Sequence, residues 1–136
     1  MSRFVRPDTD KLELTDGDWL LVKRQLTAGE QRRAFARHVT VKRGEREINL
    51  EVVGLGVLTQ YLLDWSLTDD DGRVVLIRDQ PASVVEAALN ALDPASFMEI
   101  ESAVSGHMER VRLELDAEKK TRNGERKLSV ISGSAG

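Results

Sequence analysis

Lys11-Leu12-Glu13-Leu14-Thr15-Asp16-Gly17-Asp18-Trp19-Leu20-Leu21-Val22-Lys23 is the stretch whose reading decides the fold. Lys11–Thr15 and Trp19–Lys23 flank Asp16-Gly17, a dipeptide that accepts positive φ and suits a type I′ two-residue hairpin turn. Reading outward from that turn pairs Leu14 with Trp19 and Leu12 with Leu21. Side chains alternate along each strand, so these four share one face, while Glu13, Leu20, Lys11 and Val22 share the other. The expected element is an antiparallel hairpin.

Downstream, Thr27 followed three residues later by Glu30 forms a capping box, able to satisfy two orphan backbone N–H groups. It predicts a helix from Ala28 to about His38, basic through Arg32, Arg33 and Arg37, that docks by a narrow stripe of Ala34, Phe35 and Val39. Lys42-Arg43-Gly44-Glu45-Arg46-Glu47 reads as a solvated loop or mobile turn. From Leu50 to Trp65 two patterns compete, and Val52-Val53-Gly54-Leu55-Gly56-Val57 could start as a strand. Leu50, Val53, Val57, Leu58, Tyr61, Leu62 and Trp65 recur at helical spacing, which favours a helix for the second half. Gly54 and Gly56 each cost a helix about 1 kcal/mol relative to Ala and count against the first half. Trp65–Thr68 and Arg73–Ile77 then flank Asp69-Asp70-Asp71-Gly72, the signature of a second hairpin able to extend the first hairpin's sheet.

After Pro81 the pattern turns helical. Ala82, Val85, Ala88, Leu89 and Leu92 make one stripe, and Asp93-Pro94 restarts the chain as N-cap and first helical residue. Phe97, Ile100, Val104, Met108, Val111 and Leu115 then form a one-sided stripe about 27 Å long at 1.5 Å per residue. From Ala117 onward the apolar positions stop. The expected organisation is an amino-terminal arm over residues 1–10, a single globular domain over 11–118 and a flexible basic tail over 119–136.

Composition and motifs narrow the function classes. The 136 residues, 40% apolar and 32% charged, suit one domain, and no apolar run is long enough for a membrane helix. Arg3 and Arg6 precede no apolar leader segment, so a protein retained where it is made is expected. With no cysteine there is no disulfide framework, thiol nucleophile or Cys-ligated metal. Charge is segregated: residues 1–48 hold 11 basic and 8 acidic side chains, residues 49–118 hold 4 and 14, and residues 119–136 hold 5 and 1. Such blocks suit association by complementary surfaces, and equally a solvated surface.

An EF-hand loop with its glycine at Gly72 needs oxygen ligands at Leu67 and Arg78, which cannot supply them, so the aspartate run reads as a turn. Gly54-Leu55-Gly56 has Thr59 where a dinucleotide fingerprint needs glycine. His38 and His107 lack a helical metal-binding partner, and Ser66, Ser83, Ser96 and Ser102 lack an evident base. No enzyme, cofactor or metal is expected. The basic set of Lys23, Arg24, Arg32, Arg33, Arg37, Lys42, Arg43 and Arg46 makes nucleic-acid binding a third choice, against an acidic whole with a pI near 5.5.

As a whole the chain resembles the small tail assembly chaperones encoded by long-tailed bacteriophages and related prophages. The resemblance covers about residues 3–115. It is carried by Arg3-Phe4-Val5-Arg6-Pro7 before a hairpin ending in Asp16-Gly17-Asp18-Trp19, by Leu26-Thr27-Ala28-Gly29-Glu30-Gln31-Arg32, by Tyr61-Leu62-Leu63-Asp64-Trp65-Ser66 before an Asp-Gly turn, and by the helix break at Leu92-Asp93-Pro94. It implies a non-catalytic protein of the host cytoplasm that coats the tape-measure protein and recruits tail-tube subunits. The alternative is a structural virion component, such as a tail or head-tail connector subunit.

The resulting expectation is an α+β fold: a small antiparallel sheet of two hairpins packed with helices, including a carboxy-terminal helix pair, with a mostly helical bundle as the alternative. Along the last stripe, Phe97, Ile100 and Val104 are assigned to the core. Met108, Val111 and Leu115 lie where the helix outruns so small a domain, and are assigned to partner binding or self-association.

Overall fold

The computed structural model describes residues 2–36, 39–42, 45–48 and 53–135, with backbone alone for 39–42, 45–48, Val53 and 121–135. The order is β1 (Thr9–Glu13), β2 (Trp19–Lys23), α1 (Ala28–Ala36), β3 (Val39–Lys42), β4 (Glu45–Ile48), α2 (Val53–Tyr61), β5 (Leu62–Trp65), α3 (Ala82–Asn90) and α4 (Pro94–Ala135). β1, β2 and β5 form an antiparallel sheet with β2 in the centre, and β3 pairs β4 in a separate ladder. The fold is α+β.

The first hairpin forms with a register one residue from the expected one. Leu12 pairs with Leu20 and Lys11 with Leu21, because the reversal holds three residues, Thr15–Gly17, closed by the Leu14 N–H donating to the Asp18 carbonyl at 2.8 Å. Asp16 (φ 60°) and Gly17 (φ 77°) do take the left-handed conformation that the dipeptide offers. A one-residue slip exchanges the faces of the second strand. Leu12, Leu20 and Val22 are therefore buried, whereas Trp19 and Leu21 lie on the outer face, where the Lys11 ammonium sits 5.2 Å from the Trp19 ring.

The segment 53–65 corrects the sequence reading at both ends. The helix occupies the glycine-containing half and stops at Tyr61, and Leu62–Trp65 becomes a strand against β2. Leu20 pairs with Trp65, Leu21 with Asp64 and Val22 with Leu62, leaving Leu63 as an extra residue in a bulge. The bulge lets Leu62 and Trp65, three positions apart, face inward together. Leu58, Tyr61, Leu62 and Trp65 are thus all buried at helical spacing although the helix has ended. Gly54, in the first turn of α2, leaves room for Glu101: a Cβ there would lie 2.8 Å from its Oε2. A carboxylate at a helix amino terminus is favourably placed against the dipole.

Lys42 and Glu45–Glu47, read as loop, lie in β3 and β4, which pair from Val39↔Ile48 to Lys42↔Glu45. β-branched Val39, Val41 and Ile48 favour such a ladder. α1 ends at Ala36, so the predicted end at His38 lies outside the described residues. The second hairpin is reduced to a reversal with one bridge, Thr68↔Val74. Asp69 uses Oδ1 to accept the N–H groups of Asp71 (2.9 Å) and Arg73 (3.0 Å), and Gly72 has φ 78°. The returning arm is held instead by Trp65, whose Nε1–H donates to the Val75 carbonyl at 2.7 Å.

The capping box and the Asp93 cap form as expected. Thr27 N–H donates to Glu30 Oε1 at 2.9 Å, and Glu30 N–H donates to Thr27 Oγ1 at 3.1 Å. Ser96 N–H donates to Asp93 Oδ1 at 2.8 Å, which together with the Ser96 hydroxyl holds the Asp93 carboxyl below its ordinary value. One core cluster joins Leu12, Leu20, Val22, Leu58, Trp65, Val85, Leu89, Ile100 and Val104. The backbone of α4 is helical for 42 residues, about 63 Å, and continues through residues 119–135.

Candidate interaction groove

Residues of α1, α2 and α4 line a groove of about 460 Å³. Leu26 and Phe35 form one wall, Met108, Val111 and Leu115 the other, and Val57 and Tyr61 of α2 close the bottom. Its rim is polar, with Gln25 and Gln31 on one side and Ser105, Glu109 and Arg112 on the other. An apolar trough inside a polar rim suits the apolar face of an amphipathic helix.

Three charged contacts set the walls. Lys23 pairs with Glu30, tying the start of α1 to β2. Burial pushes the Glu30 carboxyl up, but Lys23 and the Thr27 amide and hydroxyl outweigh it, so the group titrates below its ordinary value. Arg24, just past β2, pairs with Glu114 on α4, and its guanidinium is held more firmly protonated by that hydrogen bond and charge. Two turns earlier, His107 Nε2 meets Asp10 of β1 at 2.7 Å. The ring is 3% exposed, stands edge-on to Tyr61 (centroids 6.2 Å, planes at 83°), and has no hydrogen-bond partner for Nδ1 among the described residues. The Tyr61 hydroxyl is pushed up by burial and by the charge of Glu30.

The structure brings Met108, Val111 and Leu115 into one wall, with Val111 buried at 5% and the other two half-buried. Of the residues assigned to the core, Ile100 and Val104 are each 1% exposed and Phe97 is half-buried against the cluster. Phe35, read from the sequence as part of the docking stripe of α1, instead stands half-exposed in the groove wall. Neighbours on a helix point about 100° apart, so a narrow stripe can bury only one of Ala34 and Phe35, and here Ala34 is 1% and Phe35 50% exposed. That adjacency was the available signal. Ser66 is engaged structurally, accepting from Trp19 N–H at 2.9 Å and donating to Asp18 Oδ1 at 3.0 Å. No helix among the described residues is long and apolar enough to cross a membrane.

Fold and groove together define a small α+β chain with an apolar trough between two helices. Comparisons with protein families, with curated proteins and with solved structures give no match.

Proposed function

We propose that this chain is a non-catalytic tail assembly chaperone of the long-tailed phage type, acting in the host cytoplasm. The groove between α1 and α4 carries the reading. Half-exposed Phe35 opposite Met108 and Leu115 offers an apolar seat to a helical segment of the tape-measure protein. Tail-tube subunits are the second partner the resemblance implies. Charge around the seat favours encounter and register more than affinity. Co-expression with the tape-measure protein tests this: a complex that elutes together, and tape measure that is soluble only in its presence, are expected. Equal solubility with and without the chain, and no joint elution, defeats it.

The 42-residue α4 favours a second reading, a tail or connector subunit that packs by its long helix. Presence of the chain in purified particles supports that reading, and absence from them removes it.

A further inference from the structure

After the Asp69–Gly72 reversal the chain returns over Arg73–Ile77, on the side of β5 away from β2. Val75 N–H donates to the Leu67 carbonyl at 3.0 Å, Asp69 N–H donates to the Arg73 carbonyl at 2.8 Å, and the Val75 carbonyl accepts from Trp65. In an extended antiparallel pair, the N–H and C=O of one residue point to one side and those of its neighbours to the other. The groups of Val74 and Leu76 thus point outward, and they have no hydrogen-bond partner among the described residues. Side chains alternate as well. Ile77 is buried and Val75 packs against the core, whereas Val74 is 46% and Leu76 67% exposed, on the face that also holds Trp19 and Leu21. The opposite edge of the sheet, β1, carries Lys11 and Glu13 at exposed positions, and such charges discourage strand addition.

We infer that the Val74–Leu76 edge takes an extended strand from a partner protein, apolar at alternate positions and basic at its carboxy-terminal end. The backbone selects an extended occupant. Outward donors and acceptors recur at every second residue, about 7 Å apart, a spacing that another strand matches, whereas a helix spends its N–H and C=O groups on itself. Charge selects a basic one. Asp70, Asp71 and Asp79 have no ion pair among the described residues, and Asp69 accepts backbone N–H groups. Against them stand Arg73 and Arg78, the latter 4.0 Å from Asp64. Lys11 and Lys23 belong to β1 and β2, beyond β5, and Lys23 is paired with Glu30. With all of these counted, the surroundings of the edge stay acidic. An added antiparallel strand runs from Leu76 toward Val74, so its carboxy-terminal end meets the aspartates. Two copies joined through this edge would bring two acidic surroundings together, which makes a second copy the poorer occupant. Neither Val74 nor Leu76 lines the groove, so the inference stands apart from what the groove binds.

The probe is a short blocked peptide that alternates valine and threonine and ends in a pair of lysines, compared with the same peptide ending in glutamates. Amide hydrogen exchange is followed by NMR on the full chain. With the lysine peptide, the Val74 and Leu76 amides should exchange at least about tenfold more slowly, while Val75, already bonded to Leu67, is unchanged. The glutamate peptide should protect neither. Leu76→Pro deletes one outward N–H at an edge that tolerates proline, and should abolish protection of Val74 without moving the thermal melt. Leu76→Lys sets a charge against the basic strand, should give the same loss without altering the backbone, and should leave co-elution through the groove intact. No protection at any peptide concentration, equal protection by both peptides, protection that survives Leu76→Lys, or self-association of the free chain that Leu76→Lys abolishes each overturns the inference.

Discussion

His107 Nε2 and Asp10 Oδ2 lie 2.7 Å apart across 97 residues of sequence, and this contact fastens α4 to the first strand of the sheet. A carboxylate only accepts, so Nε2 carries a proton, and Nδ1 is buried without a hydrogen-bond partner among the described residues. The two ends of the contact are unequal. Asp10 also has the Arg24 guanidinium at 3.7 Å, whereas the buried ring has Asp10. Asp10→Ala should therefore cost about 1–3 kcal/mol by stranding a buried donor, and His107→Met distinctly less. Urea titrations of both variants decide it, and the reverse order would show that ring packing outweighs the hydrogen bond.

Glu30 makes part of the stability pH-dependent. Its folded-state value is lowered, so the stabilisation is present above the unfolded value near about 4.3 and is lost as pH falls through the folded value. The urea midpoint of the native chain should exceed that of Glu30→Gln at pH 7, with the gap closing in acid. A gap that stays undiminished as the pH is lowered into strong acid would remove the charge from the account. Thr27→Ala removes the cap hydroxyl and should cost about 1 kcal/mol at neutral pH.

The stripe on α4 should divide by burial. Ile100→Ala is expected to cost about 2–5 kcal/mol, and Val104→Ala or Val111→Ala about 1.5–3, since each loses methyl groups from a closed environment. Phe35→Ala, Met108→Ala and Leu115→Ala should each stay near about 1 kcal/mol or below while weakening association with a partner. Thermal melts paired with co-elution measure both effects. Comparable destabilisation at all of these positions, with association unchanged, returns the groove to the core.

Trp65 is the hinge of the returning arm. Trp65→Phe keeps most of the apolar volume but strands the Val75 carbonyl, with an expected cost of about 1–3 kcal/mol. Fluorescence gives a second readout, because emission from the Trp19→Phe variant reports only the 2%-exposed Trp65 and should lie well to the blue. Red-shifted emission from that variant would contradict the burial.

Gly54→Ala sets helix propensity against a contact. Alanine contributes up to about 1 kcal/mol over glycine within a helix, and the obstructing atoms are the end of the exposed Glu101 side chain, which can rotate away. The variant should be neutral to slightly stabilised in a thermal melt. A marked loss would show that the Glu101 carboxylate is held at the start of α2.

Elements set by neighbours in the chain were legible in the sequence. The Thr27–Glu30 box, the Asp93-Pro94 restart and the reversals at Asp16-Gly17 and Gly72 depend on hydrogen bonds and φ preferences within three or four residues, so the residue types specify them. So did the α+β class, since periods of 2 and 3.6 are local properties. Register and strand partners were decided only by tertiary structure. Leu12 faces Leu20 because a three-residue loop lets Leu20 and Val22 reach the core, and Leu62–Trp65 leaves the helical pattern because β2 supplies backbone partners that a bulge can match. The groove has the same origin. Phe35, Met108 and Leu115 are separated by up to 80 residues, and they meet because the Arg24–Glu114 ion pair and the His107–Asp10 contact, each bridging distant segments, fix where α4 lies against β1 and the end of β2, while the shorter Lys23–Glu30 pair ties α1 to β2. Local preference carries no information about such pairings, whose free energy exists only once both partners are in place.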